Sequence, residues 1–203
     1  MFGIFLDTET NGLDPKIHKI LEIAIKIIDL RNGKILDTYQ TFANISDQEW
    51  SLSDPISLKV NGIKKENTHS GKSFGEIRQD IINLIKKHSL IRGKAVFICQ
   101  NPSFDRAFFS QILDIKEQEQ LYLPYHWLDL ASMYWGFLMQ SEKGEKLPWE
   151  TGFTKDKIAA KFGIEPENQP HRAMNGVNHL LKCYEKVIGF PNRNSNPLKA
   201  LKP

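Results

Sequence analysis

Cysteine is nearly absent: Cys99 and Cys183 are the only two among 203 residues, and neither sits at a C-x-x-C spacing. That excludes a disulfide-built scaffold, a cysteine-ligated zinc site and a dithiol redox motif, and it fits a reducing, cytoplasmic setting. Long apolar runs are missing too. The opening Met1–Leu6 stretch is apolar, but Asp7 and Glu9 interrupt it and no basic segment precedes it. No apolar stretch of about 18 residues follows, so neither an export signal nor a membrane anchor is expected. Charge of one sign is also scarce. The 27 Lys and Arg against 24 Asp and Glu leave a formal +3, which permits a polyanionic partner without arguing for one.

What the chain does have is enough apolar material, 40% of residues, for one ordinary core. Phe2 to Asp7, Leu21 to Asp29 and Lys34 to Ala43 are rich in β-branched and aromatic residues, and Arg31-Asn32-Gly33 supplies a turn between the second and third. This reads as a meander of three strands. A short helical turn is expected around Pro55 to Val60, and a helix over Phe74 to Lys87, where Phe74, Ile77, Ile81, Ile82, Leu84 and Ile85 recur at helical period. Ala95 to Cys99 is a continuous apolar run, as in a strand covered on both faces. Ser103 is the expected N-cap of a helix running through Phe108, Phe109, Ile112 and Leu113. Further helices are expected at Leu130 to Met139, Thr154 to Phe162 and Ala173 to Val187. Strands followed by alternating strand and helices indicate an α/β domain with a mixed sheet. The domain is placed at residues 1–190, and 191–203, rich in Pro, Asn and Lys, as a flexible C-terminal tail.

The sharpest local feature is Asp7-Thr8-Glu9 at the end of the first strand. Side chains two apart on a strand share a face, so both carboxylates can enter one site, where divalent cations relieve their repulsion. Oxygen donors favour Mg2+ or Mn2+ over softer metals. A pair of solvated carboxylates is the commoner meaning of an isolated D-x-E. A glycosidase pair fits less well, because that chemistry needs carboxyls facing each other across a sugar. Asp105 lies just beyond the Ala95–Cys99 strand, at the carboxyl end where open α/β sheets place ligands, although an acid there also suits the first turn of a helix. His171 follows Pro170 at the start of the last helix. It titrates near neutrality and suits proton abstraction from water, although such histidines more often cap or pack.

Taken together, FLDTETNGLDP, QNPSFDRAFF and PHRAMNGVNHLL resemble, in order, the three motifs of the DEDDh (DnaQ-like) 3'-5' exonucleases, over nearly the whole chain. Leu21-Glu22-Ile23-Ala24, Asn61-Gly62-Ile63 and Trp127-Leu128-Asp129-Leu130 add lesser similarities. The resemblance implies a ribonuclease H-like fold with a five-stranded mixed sheet flanked by helices. It also implies hydrolysis of the 3'-terminal phosphodiester of single-stranded DNA or RNA, releasing nucleoside monophosphates with two divalent ions, Mg2+ or Mn2+, per site. By position, Asp7 would bridge both ions, Glu9 and Asp105 would each serve one, and His171 would be the general base. Thr10, Leu13 and Asn101 would touch the terminal nucleotide, and Leu13 and Phe104 would wedge or stack against its base. Several members of the family are homodimers, a state left open here.

One position departs from that pattern. The last acidic ligand stands five residues after the histidine, and here that residue is Gly176. Asn175 and Asn178 beside it offer carbonyl oxygens without charge. A different acid could substitute from elsewhere in the fold, Asn178 could take the ligand's place, or the chain could be a weakened enzyme or an inactive module that binds nucleic-acid ends. In the last case Gly176→Asp is expected to create activity.

Overall fold

In the computed structural model, residues 1–140 and 146–192 are described. The strands β1 (Phe2–Thr10), β2 (Ile20–Asp29) and β3 (Lys34–Phe42) form the expected meander, β4 (Ala95–Cys99) matches its apolar run, and β5 is Trp127–Asp129. The helices in chain order are α1 (Asp47–Ser51), α2 (Pro55–Asn61), α3 (Lys65–His69), α4 (Phe74–His88), α5 (Pro102–Phe109), α6 (Ile115–Gln120), α7 (Leu130–Met139), α8 (Pro148–Thr151), α9 (Lys155–Lys161) and α10 (Ala173–Val187). The five strands lie in the order β3-β2-β1-β4-β5. β1, β2 and β3 pair antiparallel, whereas β4 runs parallel to β1 and β5 parallel to β4. Among the described residues, no helix is long and apolar enough to cross a membrane.

β1 is central, and its alternation divides the core. Ile4 and Leu6 pack with Ile77 and Ile81 of α4 and Phe108 and Phe109 of α5. Phe5 points the opposite way, into a cluster with Tyr134 of α7, Ile158 of α9 and Val177 and Leu180 of α10. A strand sandwiched between two helical layers must be apolar on both faces, which is why its first half carries no charge. Charge enters at Asp7, where the strand runs out from under its covers.

The start of α5 differs from expectation. Its N-cap is Asn101, with φ 56°, and Pro102 follows at the first helical position. Proline's fixed φ suits that position and begins the helix earlier than Ser103 does. Ser103 lies within the first turn, and its hydroxyl donates to Asn101 Oδ1 at 2.7 Å. The helix ends at Phe109, so Ile112 and Leu113 are buried in the turn beyond it. The short helices α1 and α6 were not foreseen, although Ser46 with Glu49 and Asp114 with Glu117 form capping boxes readable as S/D-x-x-E. The expected tail lies, from residue 193 onward, outside the described residues.

Candidate active site

Asp7 and Glu9 project from the α10 side of β1, at the end of the strand. Asp105 reaches them from the first turn of α5: Oδ1 accepts the Thr8 backbone N–H at 3.0 Å and the Thr8 hydroxyl at 2.8 Å. A residue 97 positions away is thereby fastened to the middle of the Asp7-Thr8-Glu9 tripeptide. Asp105 as a whole is only 4% exposed.

Carboxylates so placed resist ionising together. Burial above all raises Asp7 to about 6, opposed by Lys155 and reinforced by Glu167. Glu9 rises to about 9 through burial and the neighbouring charges of Asp7 and Glu167. Asp105 is pushed well above the usual carboxylate range by burial and Asp7. Hard oxygen donors that resist ionisation together are the donor set for a bound divalent cation, so these residues fit one. Among the described residues, though, no three such side chains already stand at coordinating distances.

Two residues that sequence reasoning missed complete the cluster. Lys155, the first residue of α9, places its ammonium 3.4 Å from Asp7 Oδ1 and 2.8 Å from Glu167 Oε2. Its side chain is 14% exposed and that of Glu167 only 1%. A helix N-terminus repels a cation, so the carboxylates, and not the helix, account for a lysine there. Burial would depress the Lys155 pKa, but Asp7 and Glu167 outweigh it and raise it. Glu167 Oε1 lies 3.7 Å from His171 Nδ1 and has no hydrogen-bond partner among the described residues. Glu167 is thus an acid from elsewhere in the fold that shares the Lys155 ammonium with Asp7. No motif marked Glu167, in a polar loop, or Lys155.

Gly176 is the reason α10 can lie so close. A Cβ built there would fall 2.3 Å from Asp7 Oδ2 and 2.6 Å from its Cγ. An aspartate at 176 would therefore require the Asp7 carboxyl to shift. Asn178 is not brought to the carboxylates either. Its Oδ1 accepts from Lys26 Nζ at 2.5 Å, further along the α10–β2 contact.

His171 is held from two directions. Its backbone N–H donates to Val60 O at 3.0 Å, tying it to the end of α2. The next residue, Arg172, grips Glu22 on β2 through Nε and an Nη at 2.9 Å each, and Ala173 N donates to the same carboxylate at 3.1 Å. Glu22 is directly opposite Glu9 in the β1–β2 register. α2 itself is fixed to β1 by Asn61, whose side-chain amide donates to Thr10 O at 3.0 Å.

Beside Glu9 opens a cleft of about 250 Å³ lined by Thr8, Glu9, Thr10, Leu13, Val60 and Phe104, among others. Thr10, Leu13 and Phe104 thus meet in one place. Asn101 does not line it. Its αL backbone is fastened to Asp129, whose Oδ1 accepts the Asn101 N–H at 3.0 Å.

A family model described as Exonuclease (RNase_T) matches residues 4–184. Among curated proteins, the chain is 26% identical over 186 residues to a PolC-type DNA polymerase III of Thermotoga petrophila, covering 91% of this chain and 12% of the polymerase. It is 25% identical over 199 residues to ribonuclease T of Actinobacillus pleuropneumoniae, covering 93% and 87%. The chain therefore spans about an eighth of the polymerase's length and most of the ribonuclease's. Among solved structures, the nuclease domain of 3'hExo, a DEDDh family member bound to rAMP, superposes with a TM-score of 0.70 at 16% identity, covering 95% of this chain and 94% of that one. E. coli exonuclease I in complex with a dT13 oligonucleotide gives a TM-score of 0.67 at 19% identity, covering 91% and 41%. At those identities the structural likeness speaks for the fold, which is ribonuclease H-like. With the family model spanning nearly the whole domain, this chain belongs to the RNase_T exonuclease family, of the DEDDh (DnaQ-like) type.

Proposed function

We propose that the chain is a 3'-5' exonuclease that hydrolyses the 3'-terminal phosphodiester of single-stranded nucleic acid and releases nucleoside monophosphates. The observation that carries this reading is the fastening of Asp105 to Thr8, which brings an acid from α5 to the tripeptide that holds Asp7 and Glu9, the latter lining the cleft. Solved relatives that hold rAMP or a dT13 oligonucleotide support a single-stranded end as the substrate.

Asp7, Glu9 and Asp105 are the residues that would hold Mg2+ or Mn2+, two ions being the expectation from the family. Bound there, such ions supply positive charge to the phosphodiester and make water a better nucleophile. His171 takes a proton from the attacking water at Nε2, because Nδ1 faces Glu167. Glu22 and Arg172 orient the histidine by anchoring the backbone that carries it. Leu13, which is 72% exposed, and Phe104 flank the terminal base and grip it by apolar contact and stacking, which tolerates any base. Thr10 lines the same cleft, and Asn101 contributes by shaping the α5 start.

The test is a 5'-labelled single-stranded oligonucleotide incubated with Mg2+ or Mn2+. The native protein is expected to give a ladder shortened from the 3' end, and Asp7→Ala to lose more than about 10²-fold of the rate, since even outer-sphere partners of a metal are worth 10- to 100-fold. No ladder, or equal ladders, would contradict the reading. A second reading, an end-binding module without turnover, is favoured by Lys155 against Asp7. It requires oligonucleotide binding by the native protein with no cleavage in either metal.

A further inference from the structure

The Lys155–Glu167 pair sits where the divergent half of the cluster needs both an acid and a cation. Glu167 brings a carboxylate to the Lys155 ammonium beside Asp7, whereas position 176 carries none and a Cβ there would meet the end of the Asp7 side chain as it now stands. Lys155 spans the gap between Asp7 and Glu167, with its ammonium within 3.4 Å of one and 2.8 Å of the other. Lysine is flexible and rarely buried, and both partners here are almost shielded from water, so the contact is a fixed feature of the site and not a surface pairing. Glu167 Oε1 remains unpartnered and nearly inaccessible, aimed toward His171. A buried carboxylate oxygen without a donor is costly, and it marks a place where positive charge is still wanted.

Resting on the reading of Asp7, Glu9 and Asp105 as ligands, we propose that the Lys155 ammonium is a resident monovalent cation in one of the two cation positions of this site, so that the native chain takes up a single divalent ion tightly. The single ion is held by Asp7, Glu9 and Asp105. The second position, between Asp7 and Glu167, is filled by the chain itself. Removing the ammonium while keeping both carboxylates opens that position to a second divalent ion, and removing Glu167 as well closes it again.

The experiment is Mn2+ binding, by equilibrium dialysis with the free ion read by electron paramagnetic resonance, on the native protein, Lys155→Met, and Lys155→Met with Glu167→Gln. Methionine keeps the length and apolar stem of lysine, and circular dichroism establishes that each variant is folded. The expected result is one tight Mn2+ per chain in the native protein, two in Lys155→Met, and one in the double variant. Two ions of similar affinity in the native protein, none at all, or a folded Lys155→Met that still binds one ion would overturn the proposal. If Lys155→Met does not fold, Lys155→Gln serves in the same comparison. The outcome is separable from that of the oligonucleotide assay: cleavage with two native ions defeats only this inference, and one native ion without cleavage defeats only the exonuclease reading.

Discussion

The two walls of the site handle charge in opposite ways. At the end of β1, the half-buried Asp7 and Glu9 on the α10 face and the buried Asp105 on the α5 face are all driven toward the protonated state. On the α9–α10 side the acids are paired: Lys155 lies against Glu167, and Arg172 against Glu22 of β2. Lys155 also reaches Asp7, at 3.4 Å, so one ammonium serves both sides, while Glu9 and Asp105 remain driven toward the neutral form. Like carboxyls placed side by side resist ionising together, and a bound cation would relieve that, which is the role proposed for the first group. The second wall is closed by its own ion pairs, and it is the wall on which the family's last acid is missing.

The largest effect that separates the walls is catalytic. His171→Ala, which removes the proposed base between them, is expected to lower the cleavage rate by about 10²-fold or more while leaving Mn2+ binding in place. Single-turnover rates with the ion concentration varied check this, and a parallel loss of metal affinity would show that His171 belongs to the ligand wall instead. Next comes the anchoring pair. Arg172→Ala leaves Glu22, whose side chain is 1% exposed, buried without its guanidinium, and is expected to cost about 3 kcal/mol in urea unfolding. A cost below about 1 kcal/mol would mean that the Gln40 and Ala173 N–H groups suffice for that carboxylate.

Gly176→Asp attacks the seam between the walls. The new side chain meets Asp7, so stability is expected to fall by about 1–3 kcal/mol, as in an overpacked core, without any gain in cleavage. A rise in activity would show that the α9–α10 wall can move outward and accept the family's arrangement. The smallest effect is a control remote from both walls. Asp37 is lowered to about 2 by hydrogen bonds from Lys87 and His88. Because its folded pKa lies below its ordinary value of 3.8, its contribution is complete above that value and is lost as pH falls through about 2. Asp37→Asn is therefore expected to cost under about 1 kcal/mol at pH 6 and nothing near pH 1.5, in thermal unfolding followed across that range.

The gathering of Asp7, Glu9 and Asp105 was legible in the sequence because they occupy elements with strong local signatures. Asp7 and Glu9 interrupt an apolar strand at period two, and Asp105 follows a continuous buried strand, so their common destination follows from strand geometry and the direction of β4. Thr10, Leu13 and Phe104 were reachable for the same reason, as near neighbours of those acids in the chain. The αL backbone of Asn101 and its hold on Asp129 had no signal in the sequence. The opposite wall was illegible: Lys155 begins a short helix and Glu167 lies in a polar loop, and their meeting with Asp7 depends on how α9 packs against α10. Gly176 was readable as a missing acid but not as a spacing device, since the closeness of a helix to a strand has no signature in one sequence. The ends of α5 were displaced because Pro102 outranks Ser103 in starting a helix.

The central claim is that Asp7, Glu9 and Asp105 act together on one divalent ion at the end of β1. Anomalous diffraction from crystals soaked in Mn2+ with a nucleoside monophosphate tests it most directly. The account predicts a manganese peak within coordinating distance of Asp7 and Asp105, with the nucleotide base between Leu13 and Phe104. Manganese bound elsewhere, or a nucleotide seated away from Glu9, would contradict it.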